Sequence, residues 1–462
     1  MPELPEVEVV RTILEQELKN LTIKDIFIYY EPIINGNVSD FKNALLNQKI
    51  SHIERYGKFL VFVFSDVVMI SHLRMEGKYY IKDKLDTTKH DHVVFLMSNG
   101  KFVHYNDTRK FGRFEILKRS EYLKKGPLSK LAAEPKDISF DSFYQAIKKS
   151  ERAIKTLLLD QQVISGLGNI YVDETLFLSR IHPLKKGSRI HKDEAKELIN
   201  NAVKVLNKAI KLGGTTIRSY TSSLGVTGLF QNELYVHTKE GETCPVCKTT
   251  IKKIKVGGRG TYFCPNCQVN TKIIGLTGGI ASGKSTASTY ILSKGYTVID
   301  SDFIVSNLYQ KNQEMLSEIA STFLIDTKDV TFKEKLAKII FNDNNKREAL
   351  NKIVHKRVYM MIEDELYKHK NEPIIFIDMP LLFEVAYQKK CDQTVLIYTT
   401  REIQLKRLIE RNKLTKVDAK KRINSQMDIN DKKMLADVVI NNCDSIEKLH
   451  QQIDQFLEEI NK

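Results

Sequence analysis

The sequence predicts a multidomain chain. An N-terminal helix, an antiparallel β-sandwich or barrel, a small helical domain and a four-cysteine hairpin precede an α/β unit built on a parallel sheet. Three observations predict it. Two C-x-x-C pairs stand at Cys244/Cys247 and Cys264/Cys267. A G-x-x-x-x-G-K-S loop runs from Gly278 to Ser285, and only Val269, Asn270 and Thr271 separate the cysteine module from the strand leading into it. The rhythm of the chain also changes there, from short β-rich runs and helical periods to strand–helix alternation. A paired-cysteine ribbon closes a unit and a strand entering a glycine loop opens one, so two complete units are joined end to end.

Composition agrees with that division. The 462 residues are enough for about three compact units. Of the net charge of +15, residues 1–270 hold 42 Lys/Arg against 30 Asp/Glu and residues 271–462 hold 30 against 27. A polyanionic partner is therefore expected for the first part and not for the second. Four of the six cysteines form the two pairs, which in a reducing compartment means metal; Cys391 and Cys443 read as small buried hydrophobes. The N-terminus is acidic (Glu3, Glu6, Glu8), with no apolar core of a secretion signal. The most apolar run, FLVFVFSDVVMI from Phe59 to Ile70, is too short to span a bilayer and carries Asp66. A cytoplasmic protein with no membrane partner is expected.

Leu4 to Asn20 reads as a helix, with Pro5 tolerated in its first turn and Val10, Ile13, Leu14 and Leu18 on one face. From Ile23 to Leu117 the runs TIKDIFIYY, FLVFVF, HVVFLM, KFVHY and GRFEIL are short and turn-punctuated, as in a sandwich or barrel. Beyond Pro135 the period becomes helical, through YQAIKKSERAIKTLLLDQQV, GNIYVDETLFLSRI and KDEAKELINNAVKVLNKAIKLGG. The two cysteine pairs, 16 residues apart, have the spacing of a closed four-thiolate site, which implies one structural zinc held by Cys244, Cys247, Cys264 and Cys267. Lys252, Lys253, Lys255 and Arg259 give the intervening hairpin a DNA-facing edge.

The opening MPELPEVE carries chemistry. Removal of Met1 would leave Pro2 a free secondary amine. An α-amino group titrates at roughly pH 8, so a useful fraction is unprotonated at neutral pH. Its attack on a sugar C1′ gives an iminium with no N–H to lose, a lasting electron sink. Glu3 beside it can move protons.

Together with YGKFL, HLRMEGKY, KHDHV, YNDTRKFGRF, LLLDQ, SGLGNIYVDETLF, GGTTIRSY and GRGTYFCPNCQ, this opening resembles bacterial formamidopyrimidine-DNA glycosylase over residues 1–268. Leu4 stands where the endonuclease VIII branch has glycine, which favours oxidised purines as substrates, with oxidised pyrimidines the alternative. The resemblance implies damaged double-stranded DNA as partner and a glycosylase part acting as a monomer. It makes Pro2 the Schiff-base nucleophile, Glu3 the acid, Lys58 the proton donor for β-elimination and Arg259 the donor for δ-elimination. A base buried in a duplex must be extruded and its gap filled. Met75, Arg109 and Phe111 match the family's wedge positions, and His90, Lys155 and Asn169 its phosphate contacts. Asn169 follows GLG in what resembles a helix–two-turn–helix, where glycines would let backbone amides approach phosphate. Gly214 to Gly228 corresponds to the loop over the flipped base. The chain departs from the family's DPRRFG with DTRKFG: Thr108 loosens a turn and Lys110 loses a bidentate fork.

After Lys272 the strands KIIGL, YTVID, EPIIFID, QTVLIY and DVVIN alternate with helical stretches, as in a parallel sheet covered on both faces. The glycine loop marks a phosphate cradle from Gly278 through Ala281, Ser282 and Gly283, with Lys284 reaching the β/γ oxygens and Ser285 and Thr286 opening a helix. Ser285 can ligate magnesium carried by ATP. With IDSD, IDMPLLFE, QLKRLIERN, RINSQM and ADVVINN, residues 272–462 resemble dephospho-CoA kinase. That resemblance implies ATP and dephospho-CoA as substrates, Asp302 as the group orienting or deprotonating the ribose 3′-hydroxyl and Asp300 as a metal-shell partner. It makes Arg407, Arg411 and Arg422 a cationic lid. HKRV at His355 departs from the family's His-Pro.

The reading is a bifunctional fusion. Residues 1–130 form a catalytic sandwich, 131–235 a helix–two-turn–helix domain, 236–268 a zinc finger, 269–271 a linker and 272–462 a P-loop kinase domain. Its rivals are a repair protein whose P-loop domain only senses nucleotide and a non-catalytic zinc/DNA-binding module.

Overall fold

The computed structural model describes residues 2–215, 228–327, 329, 331–341 and 343–461. The chain forms two compact units, Met1–Asn270 and Thr271–Lys462.

In the first unit, α1 (Leu4–Leu18) serves two cores. Val7, Val10, Leu14 and Leu18 enter the sandwich, whereas Leu4 enters the helical domain, so the residues just before it lie where the two meet. The sandwich follows as β1 (Ile23–Ile28), β2 (Ile34–Asn35), α2 (Val38–Leu45), β3 (His52–Tyr56), β4 (Phe59–Val63), β5 (Val67–His72), β6 (Lys78–Lys82), β7 (Asp91–Met97), β8 (Phe102–Asn106) and β9 (Arg113–Lys118). One sheet has the order β2-β9-β5-β4-β3 and the other β1-β7-β8-β6; every pairing is antiparallel except the short β2–β9 contact. The run FLVFVFSDVVMI is split into β4 and β5 by a turn closed by Phe64 N–H donating to Val67 O at 3.0 Å. It lacks polar alternation because both its faces are covered. Leu60, Phe62 and Phe64 face the main core, and Val61, Val63, Val68 and Ile70 face a second cluster with Leu128.

The helical domain comprises α3 (Phe140–Lys148), α4 (Ile154–Leu158), α5 (Asn169–Leu178) and α6 (Lys192–Lys211). The stretch expected as one helical run after Tyr144 is broken between Lys148 and Ile154, where Ile154 N–H turns to Lys185 O at 2.7 Å. The cysteine module holds the two-stranded hairpin β10 (Lys252–Val256) and β11 (Arg259–Phe263). Its last buried residue, Gln268, accepts from Cys264 N–H at 3.0 Å and donates to Ile181 O at 2.9 Å.

The second unit runs β12 (Lys272–Gly278), α7 (Lys284–Ser293), β13 (Thr297–Asp300), α8 (Ser301–Lys311), α9 (Gln313–Phe323), α10 (Phe332–Phe341), α11 (Asn344–Lys368), β14 (Ile374–Asp378), β15 (Gln393–Tyr398), α12 (Arg401–Asn412), α13 (Lys416–Asn424), α14 (Ile429–Leu435), β16 (Val438–Asn441) and α15 (Ile446–Ile460). All five strands are parallel, in the order β13-β14-β12-β15-β16, with an apolar core on each face. The connection leaving β12 runs to one side of the sheet and that leaving its neighbour β15 to the other, which opens a crevice at their C-terminal ends. With Lys356 in place of the family's proline, α11 runs unbroken through His355 for 25 residues. Among the described residues no helix is long and apolar enough to cross a membrane.

Candidate active sites

Two glycine turns present the two cations of the first unit. Tyr56 pairs with Phe59, so β3 and β4 are joined by Gly57 and Lys58 alone, and Gly57 takes φ +55°, as a tight hairpin turn demands. Lys58 is turned inward, 8% exposed, with Nζ donating to Leu167 O at 2.6 Å. Burial lowers its pKa; Glu3 and Glu6 oppose that, and Arg259 adds to it. In the same manner β10 and β11 are joined by Gly257 and Gly258, at φ +55° and +78°, and the exposed Arg259 follows at once.

The first turn of α5 receives the N-terminus. Glu3, 2% exposed, accepts from Ile170 N–H at 3.1 Å and Tyr171 N–H at 3.5 Å. Unpaired helix N–H groups and the helix dipole favour a carboxylate there. A Cβ on Gly168 would fall 2.2 Å from Glu3 Cδ, and one on Gly166 2.4 Å from Leu4 Cδ1. These glycines therefore admit Leu4 and Glu3. Pro2 is buried beside Glu3, and its nitrogen becomes an amine only when Met1 is removed.

Lys155 also departs from expectation. Its side chain has no exposure; Nζ lies 2.6 Å from Asp173 Oδ1 and 3.1 Å from Gly260 O. The phosphate contact expected there is an internal ion pair, in which burial lowers the lysine pKa against the pull of Asp173. Asn169 Nδ2 donates to the same Gly260 carbonyl at 3.0 Å. His90 is half-buried on the approach to β7, where its carbonyl accepts from Asp107 N–H at 3.0 Å.

Met75, Arg109 and Phe111 sit on two neighbouring loops that the structure ties together. The Thr108 hydroxyl bonds to Glu76, and the Tyr105 hydroxyl lies against both Gly77 and Gly112. Fully buried Asp107 accepts from the N–H groups of Arg109, Phe111 and Gly112 at 2.9, 2.9 and 2.8 Å. Phe111 is left 47% exposed with the Arg109 guanidinium 4.9 Å from its ring centre, and Met75 is half-buried. Thr108 thus replaces the stiffness of proline with a side-chain tie between loops. Lys110 Nζ lies 4.7 Å over the Tyr30 ring.

The four cysteine Sγ atoms lie within 4.8 Å of one another, with Cys244–Cys267 at 3.9 Å and Cys247–Cys264 at 3.3 Å. Thiolates about 2.3 Å from a tetrahedral zinc stand about 3.8 Å apart, so the donor set fits the ion and leaves it no open position.

In the second unit a cleft of about 580 Å³ is lined by Gly278, Ala281, Ser282, Gly283, Lys284, Ser285, Thr286, Asp302, Arg407 and Arg411. Gly283 takes φ +93°, and a Cβ there would meet Asn442 Nδ2 at 2.0 Å. Asn442 itself donates to Ser282 O at 2.7 Å and accepts through its carbonyl from Arg407 at 3.1 Å. Gln404 and Gln426 hold the Ile280 carbonyl and N–H at 2.8 and 3.0 Å. Asp302 opens into the cleft. Partial desolvation by its walls raises the carboxyl pKa; Lys284 opposes this, and Asp300 and Asp378 add to it. Asp300 caps α8, accepting through Oδ1 from the N–H groups of Asp302 and Phe303 at 2.8 and 3.1 Å. Arg422 is exposed on α13 and is not among the residues lining this cleft.

Several functional residues were missed. Lys284 pairs with Asp378, which also accepts from the Ser288 hydroxyl. Asp378 ends an apolar strand, and its position inside IDMPLLFE was the available signal. Glu6, 4% exposed, accepts from Glu3 N–H at 2.8 Å and from Thr215 N–H and hydroxyl at 2.8 and 3.0 Å, and Tyr171 donates to it. Burial raises its pKa, with Glu3 adding. It grips one end of the loop assigned to the flipped base, most of which (216–227) lies outside the described residues.

Comparison with known proteins follows the same division. Residues 1–114 match the Formamidopyrimidine-DNA glycosylase N-terminal domain, 131–221 its H2TH domain, 241–269 the zinc finger found in FPG and IleRS, and 272–448 Dephospho-CoA kinase. Formamidopyrimidine-DNA glycosylase of Oceanobacillus iheyensis is 48% identical over 275 residues, 58% of this chain and 98% of that protein. The Mycoplasmopsis pulmonis enzyme is 45% identical, over 58% and 98%. Among solved structures, a Lactococcus lactis FPG mutant with Fapy-dG containing DNA aligns at TM-score 0.56 and 42% identity, covering 58% of this chain and all of that one. The Lactococcus lactis Fpg with abasic-site DNA aligns at the same score and identity. With Pro2–Glu3, Lys58 and the four-cysteine finger in one unit and a complete phosphate loop in the other, the chain belongs to the formamidopyrimidine-DNA glycosylase family and carries a dephospho-CoA kinase domain behind it.

Proposed function

We propose that this chain excises oxidised purines from damaged double-stranded DNA, cleaves the abasic site by β- and δ-elimination, and separately phosphorylates the ribose 3′-hydroxyl of dephospho-CoA. The observation that carries the first activity is the meeting of Lys58, whose Nζ donates to Leu167 O, with Glu3, held by Ile170 N–H just beyond it, while Arg259 is near enough to lower the pKa of Lys58. The Pro2 amine attacks C1′ as the glycosidic bond breaks and the base leaves; the C1′–O4′ bond then opens, O4′ taking a proton, and the nitrogen lone pair forms the C1′=N bond. The resulting iminium acidifies the C2′ proton, whose loss expels the 3′ phosphate. Loss of the C4′ proton then expels the 5′ phosphate. Glu3 moves protons at the sugar, Lys58 donates for the first elimination, and Arg259 for the second. Phe111, Arg109 and Met75, on loops tied to each other, are the groups that fill the extruded base's place. His90 is retained as a phosphate contact, whereas Lys155 and Asn169 hold the hairpin that carries Arg259.

For the second activity, Asp302 faces the phosphate loop and is the base or orienting group for the acceptor hydroxyl, an acid a nucleotide sensor has no need of. Lys284, Arg407 and Arg411 balance phosphoryl charge. Ser285, with Asp302 and Asp378 close by, would hold the magnesium carried by ATP, which supplies further charge neutralisation.

One purified full-length sample tests both. Pro2→Gly should abolish borohydride trapping on 8-oxoguanine duplex and leave CoA formation intact, and Lys284→Ala should do the reverse. Trapping retained in Pro2→Gly, or CoA formation retained in Lys284→Ala, would refute the corresponding half.

A further inference from the structure

The carboxylate of Asp173 has no part in the chemistry above, yet it is the centre of the network behind Arg259. It is 1% exposed on α5. Oδ1 holds Lys155 Nζ at 2.6 Å, while Oδ2 holds His237 Nδ1 at 2.8 Å and accepts from Tyr262 N–H, on β11, at 3.3 Å. Lys155 Nζ and Asn169 Nδ2 in turn grip Gly260 O, the carbonyl immediately after Arg259. The His237 ring stands edge-on to Tyr262, 5.0 Å between centres. Its neighbour Glu174 accepts the N–H groups of Tyr235, Val236 and His237 at 2.7, 3.0 and 2.9 Å, which fixes the segment that brings His237 in.

The first turn of the same helix also serves the nucleophile: its N–H groups at Ile170 and Tyr171 hold Glu3 beside Pro2. Asn169, Ile170, Tyr171 and Asp173 therefore place the nucleophile's anchor and the anchor of the hairpin that carries Arg259 within about one turn of α5. Thiolate coordination closes the base of the cysteine module but does not contact the Arg259 end of the hairpin. That end is set by Asp173 through Lys155, His237 and Tyr262. A buried carboxylate shared between a lysine and a histidine is worth little as a stability device but is strict about geometry.

We propose that Asp173 and His237 are positioning residues for the second elimination: they set Arg259 against the 5′ phosphate, and the first steps do not depend on them. In that second step the C4′ proton passes to Glu3, the group that moves protons at the sugar, the C4′–H electron pair becomes the C4′=C5′ bond, the C5′–O bond breaks, and the departing phosphate takes a proton from the Arg259 side. Misplacement of Arg259 would stall the reaction after the 3′ phosphate has left.

This inference rests on the Schiff-base reading of the site. The test is product analysis on an abasic-site duplex with the full-length chain, scoring the β product against the β,δ product, alongside borohydride trapping and zinc content. Asp173→Asn and His237→Ala should each lower the β,δ fraction about tenfold or more while trapping and one zinc per chain persist, and His237→Asn, whose amide can replace Nδ1–H, should restore it. An unchanged product ratio in both variants, with the ratio collapsing in Arg259→Ala, would overturn the role of Asp173 and His237 alone. If Arg259→Ala also left the ratio unchanged, the elimination reading itself would fall. Loss of zinc in both variants would likewise overturn the proposal, because the network would then brace the module rather than aim Arg259.

Discussion

The ammonium of Lys432 lies 2.9 Å from Glu384 Oε1 with no exposure of its own, while Glu384 remains 21% exposed. Lys432 also donates to Pro380 O at 2.6 Å, and Glu384 accepts from Met427 N–H at 3.0 Å. Pro380 lines the nucleotide cleft, so the pair fastens α14 to the cleft wall.

The two halves of this pair are not equivalent. Glu384→Gln leaves a buried ammonium without its counter-charge and should destabilise the second unit by on the order of 3 kcal/mol. Lys432→Met leaves a carboxylate that water can reach and should cost less than half of that. Chemical denaturation followed by a probe of the second unit ranks them, and the reverse order would refute the argument.

The wedge loops make a sharper test, because one hydroxyl separates two otherwise similar substitutions. A Cβ on Gly112 would lie 1.8 Å from Tyr105 Oη, and one on Gly77 2.2 Å from the same atom but also 2.6 Å from Leu73 O. Gly112→Ala and Gly77→Ala should each cost roughly 2 kcal/mol or more and weaken DNA binding. Adding Tyr105→Phe should recover part of the loss for Gly112→Ala and none for Gly77→Ala, whose clash with backbone remains. Thermal unfolding and duplex affinity measure both.

Asp302 gives the kinase reaction a pH signature. A base must be ionised to act, and partial desolvation, with Asp300 and Asp378 nearby, raises its pKa above the ordinary aspartate range against the opposing pull of Lys284. As pH falls, the carboxylate is therefore lost earlier than an ordinary aspartate would be. The acid limb of kcat/KM for CoA formation should therefore lie at higher pH than an ordinary aspartate would place it. Asp302→Asn should remove that limb and lower kcat by about a hundredfold or more. An acid limb unchanged in Asp302→Asn would assign the base elsewhere.

What the sequence disclosed, and what it hid, follows from the range of the interactions. Cysteine spacing, the glycine loop and the strands of the second unit are local patterns, and the structure bears them out from Cys244 to Ser285. Lys284 and Asp378 lie 94 positions apart, and Glu6 and Thr215 lie 209 apart, so no periodicity announces either pair. Lys155 was assigned to phosphate by its place in the family's motif; only tertiary structure places Asp173 against it. At Gly166 and Gly168 it is Leu4 and Glu3 that come close. Glycine marks a close approach, but not what approaches.

The joint between the units has its own consequence. Gln268 completes its hydrogen bonds with Cys264 and Ile181, and Lys272 N–H begins the next sheet by donating to Pro373 O at 2.8 Å. The few residues between them are asked to close no core and pair no strand. What the peptide link does impose is a ratio: each chain translated delivers one glycosylase unit and one dephospho-CoA kinase domain, so their dosage is equal at synthesis.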